Sequence, residues 1–377
     1  MAHLRSGIWG LALATSSAAA QSSGTPTELK PEGAEHPFAF SSIEAAIPLR
    51  DGRIVVADPI ERTILLLEWN RPEPARLGRS GQGPNEYVAP RALFRWLGDS
   101  LFVHDIGASR YLILTPDGTP ARTFRGPATE SFGYIPVRAV DRLGRIYAER
   151  RGSRPAGVDM EAILRWSPTG GAIDTAALIS RPVIRPAPGT ESRPGQVVAR
   201  PMPFRARDEW VVAPEGRVSI VHADPFHVES VLGTARTRGP DQPYRPRPVT
   251  EEDKAAWREQ QVNQGRARTL RKPGESDART GAPTTIDIRI EEPEWSETMP
   301  PFLTGGVAIA PDGQVWVTRV GSPKERTVAV DLFDGNGRPV RTVLLPRESR
   351  IVGFGAGVVL VARTDESGLQ YLRRFRY

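Results

Sequence analysis

Cysteine is absent from all 377 residues of this chain, and histidine is scarce. The absence of cysteine excludes a structural disulfide, a thiolate metal site and a thiol nucleophile. Any metal site or general base that uses imidazole must draw on very few residues. The five histidines are His3, His36, His104, His222 and His227.

Lysine is also nearly missing, because only four of the 50 basic residues are lysines, which leaves 46 arginines. The formal net charge of +6 raises the question of nucleic-acid binding. The arginines are spread along the chain and 44 acidic residues nearly balance them, whereas binding to phosphates requires a concentrated basic patch. The sequence therefore predicts no nucleic-acid partner.

Long apolar runs are missing apart from one short segment near the N-terminus. A basic start at residues 1–5 is followed by an apolar stretch at 7–14 and by three alanines at 18–20, the pattern of a secretory signal peptide. The stretch is too short for a permanent span, and a lipoprotein anchor would require a cysteine after the cleavage point. We predict a signal peptide at residues 1–20 and an exported, soluble mature chain with no membrane span, either periplasmic or extracellular.

A short sequence pattern recurs along the rest of the chain: a turn is followed by alternating apolar residues, and a polar residue ends the run. Self-similarity at roughly 40–50 residues is typical of a β-propeller, in which each repeat is a small sheet that cannot bury its own faces. Six copies predict six blades. The copies lie at residues 51–58, 98–105, 143–149, 215–222, 312–319 and 355–362.

Each repeat predicts four antiparallel strands, so the expected fold is all-β: a six-bladed β-propeller that forms one domain over residues 21–377. The last repeat has room for only three strands before Tyr377. A blade that lacks one strand exposes sheet edges, which favour aggregation. The segment 25–40, upstream of the first inner strand, is the obvious donor. We predict that this N-terminal segment closes the ring beside the C-terminal strand.

Three insertions interrupt the repeats, at residues 151–160, 181–203 and about 246–301. In a four-stranded meander, the loops between the second and third strands and the connections between blades lie on one side of the disc, called the connector face below. All three insertions fall on this face. Long loops gathered on one face of a rigid scaffold favour a binding role for that face.

The third insertion contains a predicted helix at residues 250–262. Thr250 and Asp253 resemble a capping box with Asp in place of the usual Glu or Gln, and good helix formers follow. Residues 266–285 are polar and rich in Gly and Pro, which predicts a loop. The helix is either a lid over the connector face or a packing buttress, and the sequence favours neither.

The segment 77–87 reads Leu-Gly-Arg-Ser-Gly-Gln-Gly-Pro-Asn-Glu-Tyr. It resembles the Gly-x-Gly-Pro-Gly-Glu-Phe/Tyr signature of bacterial exported six-bladed β-propeller proteins related to the NHL-repeat group, with Asn85 in place of the usual Gly. Residues 243–249 and 315–317 are similar to the same group. The resemblance covers nearly the whole mature chain and implies the fold. It leaves the activity open, because the wider relatives include lactonases, lyases and binding modules.

Motifs that would identify a reaction are missing. The glycine-rich residues 81–84 precede a strand, whereas a phosphate-binding loop requires a helix N-terminus, so a structural turn between blades is favoured. Glu86 and Tyr87 could still point into the connector face. The precursor has no Gly-x-Ser-x-Gly elbow and no His-Glu-x-x-His helix. Trp96, Trp210 and Trp316 lie in predicted strands and indicate packing between blades.

Candidate site residues follow from the topology. Second strands run outward to the connector face, so the residues at their ends should form a ring there. Such a mixture of His, carboxylate and Arg side chains suits a polar ligand, although the same groups also cap turns. The ring comprises Asp58, His104, Asp105, Glu149, Arg150, His222, Asp224, Arg319 and Arg363.

A divalent metal ion is a second possibility for the same ring. His104, Asp105, His222 and Asp224, together with His227, offer nitrogen and oxygen ligands. We expect an exported binding module that binds a small molecule, a glycan or a protein through its connector face. We also expect the chain to be a monomer. The alternative is a lactonase-like hydrolase or lyase with a metal or acid–base site in the central channel of the ring.

Overall fold

The chain forms a ring of six small antiparallel sheets, each with its first strand innermost. A computed structural model describes residues 25–83, 86–125, 137–149, 160–170, 172–181, 196–199, 201–269, 287–290 and 293–377. The predicted signal peptide lies outside the described residues. Blade 1 comprises Ala45–Pro48, Ile54–Asp58, Thr63–Leu67 and Ala75–Leu77; blade 2 comprises Pro90–Arg95, Leu101–Asp105, Arg110–Leu114 and Pro120–Arg125; blade 3 comprises Val137–Val140, Ile146–Glu149, Met160–Trp166 and Asp174–Ser180.

The second half of the ring repeats this order. The predicted all-β six-bladed propeller is therefore confirmed. Blade 4 comprises Glu209–Val212, Val218–Ala223, Phe226–Leu232 and Ala235–Arg238; blade 5 comprises Phe302–Ile309, Val315–Arg319, Thr327–Phe333 and Pro339–Pro346; blade 6 comprises Ser349–Gly355, Val358–Thr364 and Gln370–Arg376.

Hydrophobic clusters lie between consecutive blades. The central strands bury both faces: Leu101, Phe102 and Val103 of blade 2 are all fully buried, the even residue facing one neighbour and the odd residues the other. Trp210 lies between blades 3 and 4 and Trp316 between blades 5 and 6. One such cluster fills each junction, including that between blades 6 and 1, so the six clusters form a closed ring.

The N-terminal segment closes the ring, as the sequence predicts. Lys30–Pro31 pairs antiparallel with the C-terminal strand of blade 6 and supplies its fourth strand. Just before it, Thr27–Glu28 pairs in parallel with the outer strand of blade 5, a contact that the sequence did not indicate. Phe40 then exchanges two backbone hydrogen bonds of 2.8 Å with Gln370. The segment thus joins blades 5 and 6 before it enters blade 1.

Residues 79–80 and 86–87, within the segment that carries the family resemblance, form a short two-stranded pairing. Arg79–Ser80 pairs in parallel with Glu86–Tyr87, and the Gly83 N–H donates to Glu86 Oε2 at 2.8 Å. Gly81 has a φ of +151°, and a Cβ there would lie 2.0 Å from Glu86 Oε2. A side chain at this position would therefore displace the Glu86 carboxylate, and the positive φ also favours glycine.

The two large insertions pair with each other. Gln196–Ala199 of one pairs in parallel with Asp287–Ile290 of the other. The base of the larger insertion is held by a bridge between Pro248 and Thr298. Its helix, α1, spans Glu251–Thr269 and so runs seven residues beyond the predicted end at 262. Within the described ranges, no helix is both long and apolar enough to cross a membrane.

Candidate functional site

Asp58 and Asp105 end the second strands of blades 1 and 2 and hold the backbone of the chain that enters each blade. Asp58 Oδ2 accepts the N–H groups of Ser41 and Ser42, and Asp105 Oδ1 accepts those of Val88 and Ala89, at 2.8–3.2 Å. Both carboxylates are buried, at 2% and 0% exposure. Their contacts are those of capping groups, which the sequence analysis named as the alternative to a ligand site.

Glu149 occupies the equivalent position in blade 3 and holds side chains instead. Arg181 donates to its two carboxylate oxygens at 2.6 and 2.8 Å, and Trp210 Nε1 donates at 3.1 Å. Burial alone would raise the pKa of Glu149, but the hydrogen bonds and charge of Arg181 outweigh it and lower the pKa to about 2. Glu149 is therefore an ionised anchor between blades 3 and 4. Arg150 lies outside the described residues.

Two further candidates are packed beneath the surface of the ring. Tyr87 is 1% exposed, and its hydroxyl donates to the Leu77 carbonyl oxygen at 2.8 Å. His104 is 6% exposed and meets the Tyr111 ring edge-on at 4.9 Å between centroids. Burial lowers the pKa of His104 to about 4, against the nearby charge of Asp105, which would raise it. His104 is thus a neutral side chain at physiological pH.

The burial of His104 predicts a stability loss in mild acid. Its folded pKa of about 4 lies below the ordinary value of 6.5, so the unfolded chain takes up a proton between these pH values and the folded chain does not. Stability that depends on neutral His104 is present above pH 6.5 and is lost as the pH falls toward 4. We expect the unfolding free energy of His104→Gln to fall less steeply than that of the wild type over this range. Parallel slopes from urea titrations would contradict this.

His222 lies at the end of the second strand of blade 4, directly across from His227 on the third strand. The two rings stack at 4.4 Å between centroids with an interplanar angle of 12°. His222 Nδ1 lies 2.8 Å from Asp208 Oδ2, and His222 Nε2 lies 3.7 Å from Glu229 Oε2. Burial lowers the pKa of His227. Asp224 sits in the exposed turn beyond these residues.

The structure does not gather the four metal candidates of the sequence analysis into one group. His104 and Asp105 belong to blade 2, whereas His222 and Asp224 belong to blade 4. Among the described residues, one group of three potential ligands has donor atoms within 4.8 Å of one another: His222, His227 and Glu229. A possible metal-binding triad is therefore present, but its residues are not the four that the sequence predicted.

Arg319, the candidate from blade 5, borders a cavity of about 510 Å³ in the groove between blades 4 and 5. Its guanidinium lies over the rings of Phe226 and Tyr244, at 4.6 and 5.2 Å from their centroids, and Nη1 donates to Asp331 Oδ2 at 3.0 Å. Arg363, at the same position in blade 6, forms an ion pair with Glu35 instead. The cavity is lined by Gln242, Pro243, Arg319, Val320, Gly321, Glu325, Ala329, Asp331, Pro339, Arg341 and Thr342.

Helix α1 is fixed at its first turn beside this cavity. Thr250 and Asp253 form the predicted capping box, with the Asp253 N–H donating to Thr250 Oγ1 at 3.3 Å and Asp253 Oδ2 accepting the Thr250 N–H at 2.9 Å. Arg247 donates to both oxygens of Asp253 and, at 2.9 Å, to the carbonyl of Gly321, which lines the cavity. The start of the helix is therefore a buttress. A lid role for the rest of the helix stays a prediction.

Several site residues escaped the sequence analysis because they depend on strand register. Asp208 and Glu229 were not singled out, and neither was Asp331. A signal for Glu229 was available: with a two-residue turn at 224–225, His222 and His227 become cross-strand partners, and the period of two puts Glu229 on the same face as His227. Asp331 gave no comparable signal, because the longer loop 320–326 separates its strand from that of Arg319 and does not fix their register.

Sequence comparisons find no relative: no family model matches the chain, and no curated protein matches it. The resemblance to the NHL-related group therefore stays a prediction.

Structure comparisons find propellers of similar length at very low identity. A Bacteroides fragilis protein named as exported is 11% identical, with 93% of this chain and 94% of that chain covered and a TM-score of 0.48. A member of the DUF4221 family from Bacteroides vulgatus is 10% identical, with coverage of 93% and 98% and a TM-score of 0.47. The calcium-binding regucalcin of Agrobacterium tumefaciens is 11% identical, with coverage of 94% and 97% and a TM-score of 0.40. Likeness this distant carries no argument about function.

Proposed function

We propose that this chain is an exported β-propeller binding protein that takes a neutral, hydroxyl-rich ligand of the oligosaccharide class into the cavity between blades 4 and 5. The observation that carries the proposal is the cavity itself. Its volume of about 510 Å³ lies within the roughly 300–1,000 Å³ typical of ligand sites, and Arg319 borders it. Catalysis is not part of the proposal.

The charges around the cavity support a neutral ligand. Two arginines, Arg319 and Arg341, and two carboxylates, Glu325 and Asp331, line the cavity, so the formal charges of the lining cancel. A charged ligand would have the same sign as either the two arginines or the two carboxylates and would be repelled by that pair. A purely apolar ligand would cover polar groups of the lining without giving them hydrogen-bond partners. Hydroxyl groups can donate to the carboxylates and accept from the guanidinium groups.

The polar groups are also held in place before a ligand arrives. Arg319 is fixed by its two aromatic neighbours and by Asp331, and Thr342 Oγ1 donates to Asp331 Oδ1 at 2.7 Å. Each carboxylate oxygen of Asp331 has a second lone pair with which to accept a ligand hydroxyl. Side chains that are already ordered lose little entropy on binding.

Binding can be tested with defined sugars on the mature wild-type chain. Cellobiose, maltotriose and chitobiose would be titrated calorimetrically, with sodium glucuronate as a charged comparison. We expect one neutral sugar to bind and Asp331→Ala to weaken it by about ten- to a hundred-fold, the range for hydrogen bonds to charged groups. Arg122→Ala, an exposed change on blade 2, is the matched control and should leave the affinity unchanged. Binding of glucuronate alone, or an affinity that Asp331→Ala does not alter, would contradict the proposal.

The second candidate function is a lactonase-like hydrolase or lyase. One observation favours it: three potential metal ligands lie close together on blade 4. This function would require metal-dependent turnover, so release of product from γ-butyrolactone or an aryl acetate would be measured before and after treatment with a chelator. Turnover that the chelator removes would put the enzyme ahead of the binding protein.

A further inference from the structure

The hairpin of blade 4 arranges two imidazoles and a carboxylate on one side of its sheet. His222 and His227 are cross-strand partners, and Glu229 follows two residues after His227 on the same face. That face also carries Val218 and Ile220, which pack against blade 3. The cavity of the proposed function lies in the groove on the other side of blade 4, so the two features are separate.

Hydrogen bonds determine which nitrogen of each neutral imidazole carries the hydrogen. His227 Nδ1 lies 2.7 Å from the Pro225 carbonyl oxygen, and a carbonyl only accepts, so Nδ1 is the donor and Nε2 keeps its lone pair. His222 Nδ1 lies 2.8 Å from the Asp208 carboxylate and donates for the same reason. In its neutral form, each ring therefore offers the lone pair of Nε2, through which histidine binds metals.

His222 Nε2 has nothing to bond to in the described part of the chain. The atom is buried and makes no hydrogen bond, and its nearest carboxylate oxygen, Glu229 Oε2, is 3.7 Å away. That distance is too long for a hydrogen bond. Two ligand atoms at 2.0–2.2 Å from one tetrahedral zinc ion lie roughly 3.3–3.6 Å apart, so the gap is close to that of two ligands of one ion.

The neighbouring groups complete the arrangement expected around a metal. A carboxylate that accepts the Nδ1–H of a ligating histidine fixes its orientation and makes it a better ligand, and Asp208 is so placed. Arg236 Nη1 donates to Glu229 Oε1 at 2.7 Å, so the other carboxylate oxygen, Oε2, is the one that lies near His222. Asp208 and Arg236 therefore orient His222 and Glu229, whereas the His227 ring, stacked on His222 at an interplanar angle of 12°, must turn for its Nε2 to reach the same ion.

We propose that His222, His227 and Glu229 form a binding site for a divalent transition-metal ion of the zinc class, with Asp208 as the positioning residue for His222. Two imidazoles and one carboxylate suit zinc, cobalt or nickel rather than calcium or magnesium, which prefer oxygen ligands. Three protein ligands leave a fourth position for water or a ligand. The site does not depend on the oligosaccharide proposal or on catalysis.

Cobalt(II) is the probe of choice, because tetrahedral cobalt has an intense visible absorption that reports its geometry. The chelator-treated mature chain would be titrated with cobalt chloride, then with zinc chloride as competitor. We expect one equivalent to bind, a tetrahedral spectrum, displacement by zinc and a raised Tm. A chain that binds no stoichiometric cobalt or zinc at micromolar concentration would overturn the proposal.

Variants assign the ion to these residues. His227→Ala should abolish the spectrum, and Asp208→Asn should keep it while weakening the affinity about 10- to 100-fold. His104→Gln on blade 2 is the control and should bind as the wild type does. Circular dichroism checks that each variant is folded. If His227→Ala does not fold, Glu229→Gln serves in its place. Binding that survives the loss of either ligand would place the ion elsewhere and overturn the proposal.

Discussion

Glu149→Ala is expected to lower the free energy of unfolding by about 3–5 kcal/mol, the cost of leaving one partner of a buried ion pair alone. Arg181 and Glu149 are 5% and 6% exposed, and the guanidinium donates to both carboxylate oxygens. Without the carboxylate, Arg181 keeps its charge beside the Asp208 carbonyl at 2.6 Å, and Trp210 Nε1 loses its acceptor. Urea unfolding followed by tryptophan fluorescence measures the change.

A surface ion pair of the same blade provides the control. Asp174 pairs with Arg165 but is half exposed, so Asp174→Ala should cost no more than about 1 kcal/mol. The effect of Glu149→Ala should also shrink in acid. The folded pKa of Glu149, about 2, lies below its ordinary value of 4.5, so its contribution is complete above pH 4.5 and is lost as the pH falls toward 2. Equal losses for the two variants, or a difference that persists at pH 2, would contradict the account of this anchor.

Phe40→Ala is expected to destabilise the chain by about 3–5 kcal/mol, the range for removing a buried aromatic side chain. Phe40 is 1% exposed and packs in the cluster that joins blades 6 and 1, edge-on to Phe38 at 4.9 Å between centroids. Its backbone bonds with Gln370 fix the segment that closes the ring. The change therefore weakens a junction on which the whole ring depends. Urea unfolding at neutral pH measures it.

Leu143→Ala is the control for Phe40→Ala, because Leu143 is 63% exposed and should change stability by no more than about 0.5 kcal/mol. If Phe40→Ala were as mild as Leu143→Ala, the N-terminal segment would be an appendage and the ring would be held closed by other contacts.

The fold could be predicted because its signal is repeated and local. Each copy of the sequence pattern that begins at Asp51 in blade 1 has a turn followed by strand periodicity. The missing fourth strand of blade 6 pointed to the segment 25–40 as the obvious donor. The parallel pairing of Thr27–Glu28 with blade 5 could not be predicted, since two residues carry no periodic pattern. The end of helix α1 at Thr269 was also missed, because the Gly and Pro content of 266–285 favoured a loop from its first residues.

The site was harder to predict, because the partners of its residues depend on strand register and on the path of the chain that enters each blade. Ends of second strands were predicted to converge, yet Asp58 and Asp105 bind the backbone of their own blades. Arg319 does border a cavity, and the partner that orients it, Asp331, lies on the next strand of the same blade, beyond the loop 320–326 that leaves the register of the two strands open. Strand periodicity gives the face on which a side chain lies; it does not tell which groups meet that face.

A ligand is proposed to enter the groove between blades 4 and 5. Hydrogen–deuterium exchange of the mature chain, with and without a saturating concentration of the best-binding neutral sugar, tests this directly. We predict slower exchange at residues 320–331 and 339–342 of blade 5 and at 242–244 beside blade 4. Protection confined to the ends of the second strands of blades 1 and 2, around Asp58 and Asp105, would place the ligand at the connector face of those blades and contradict the proposal.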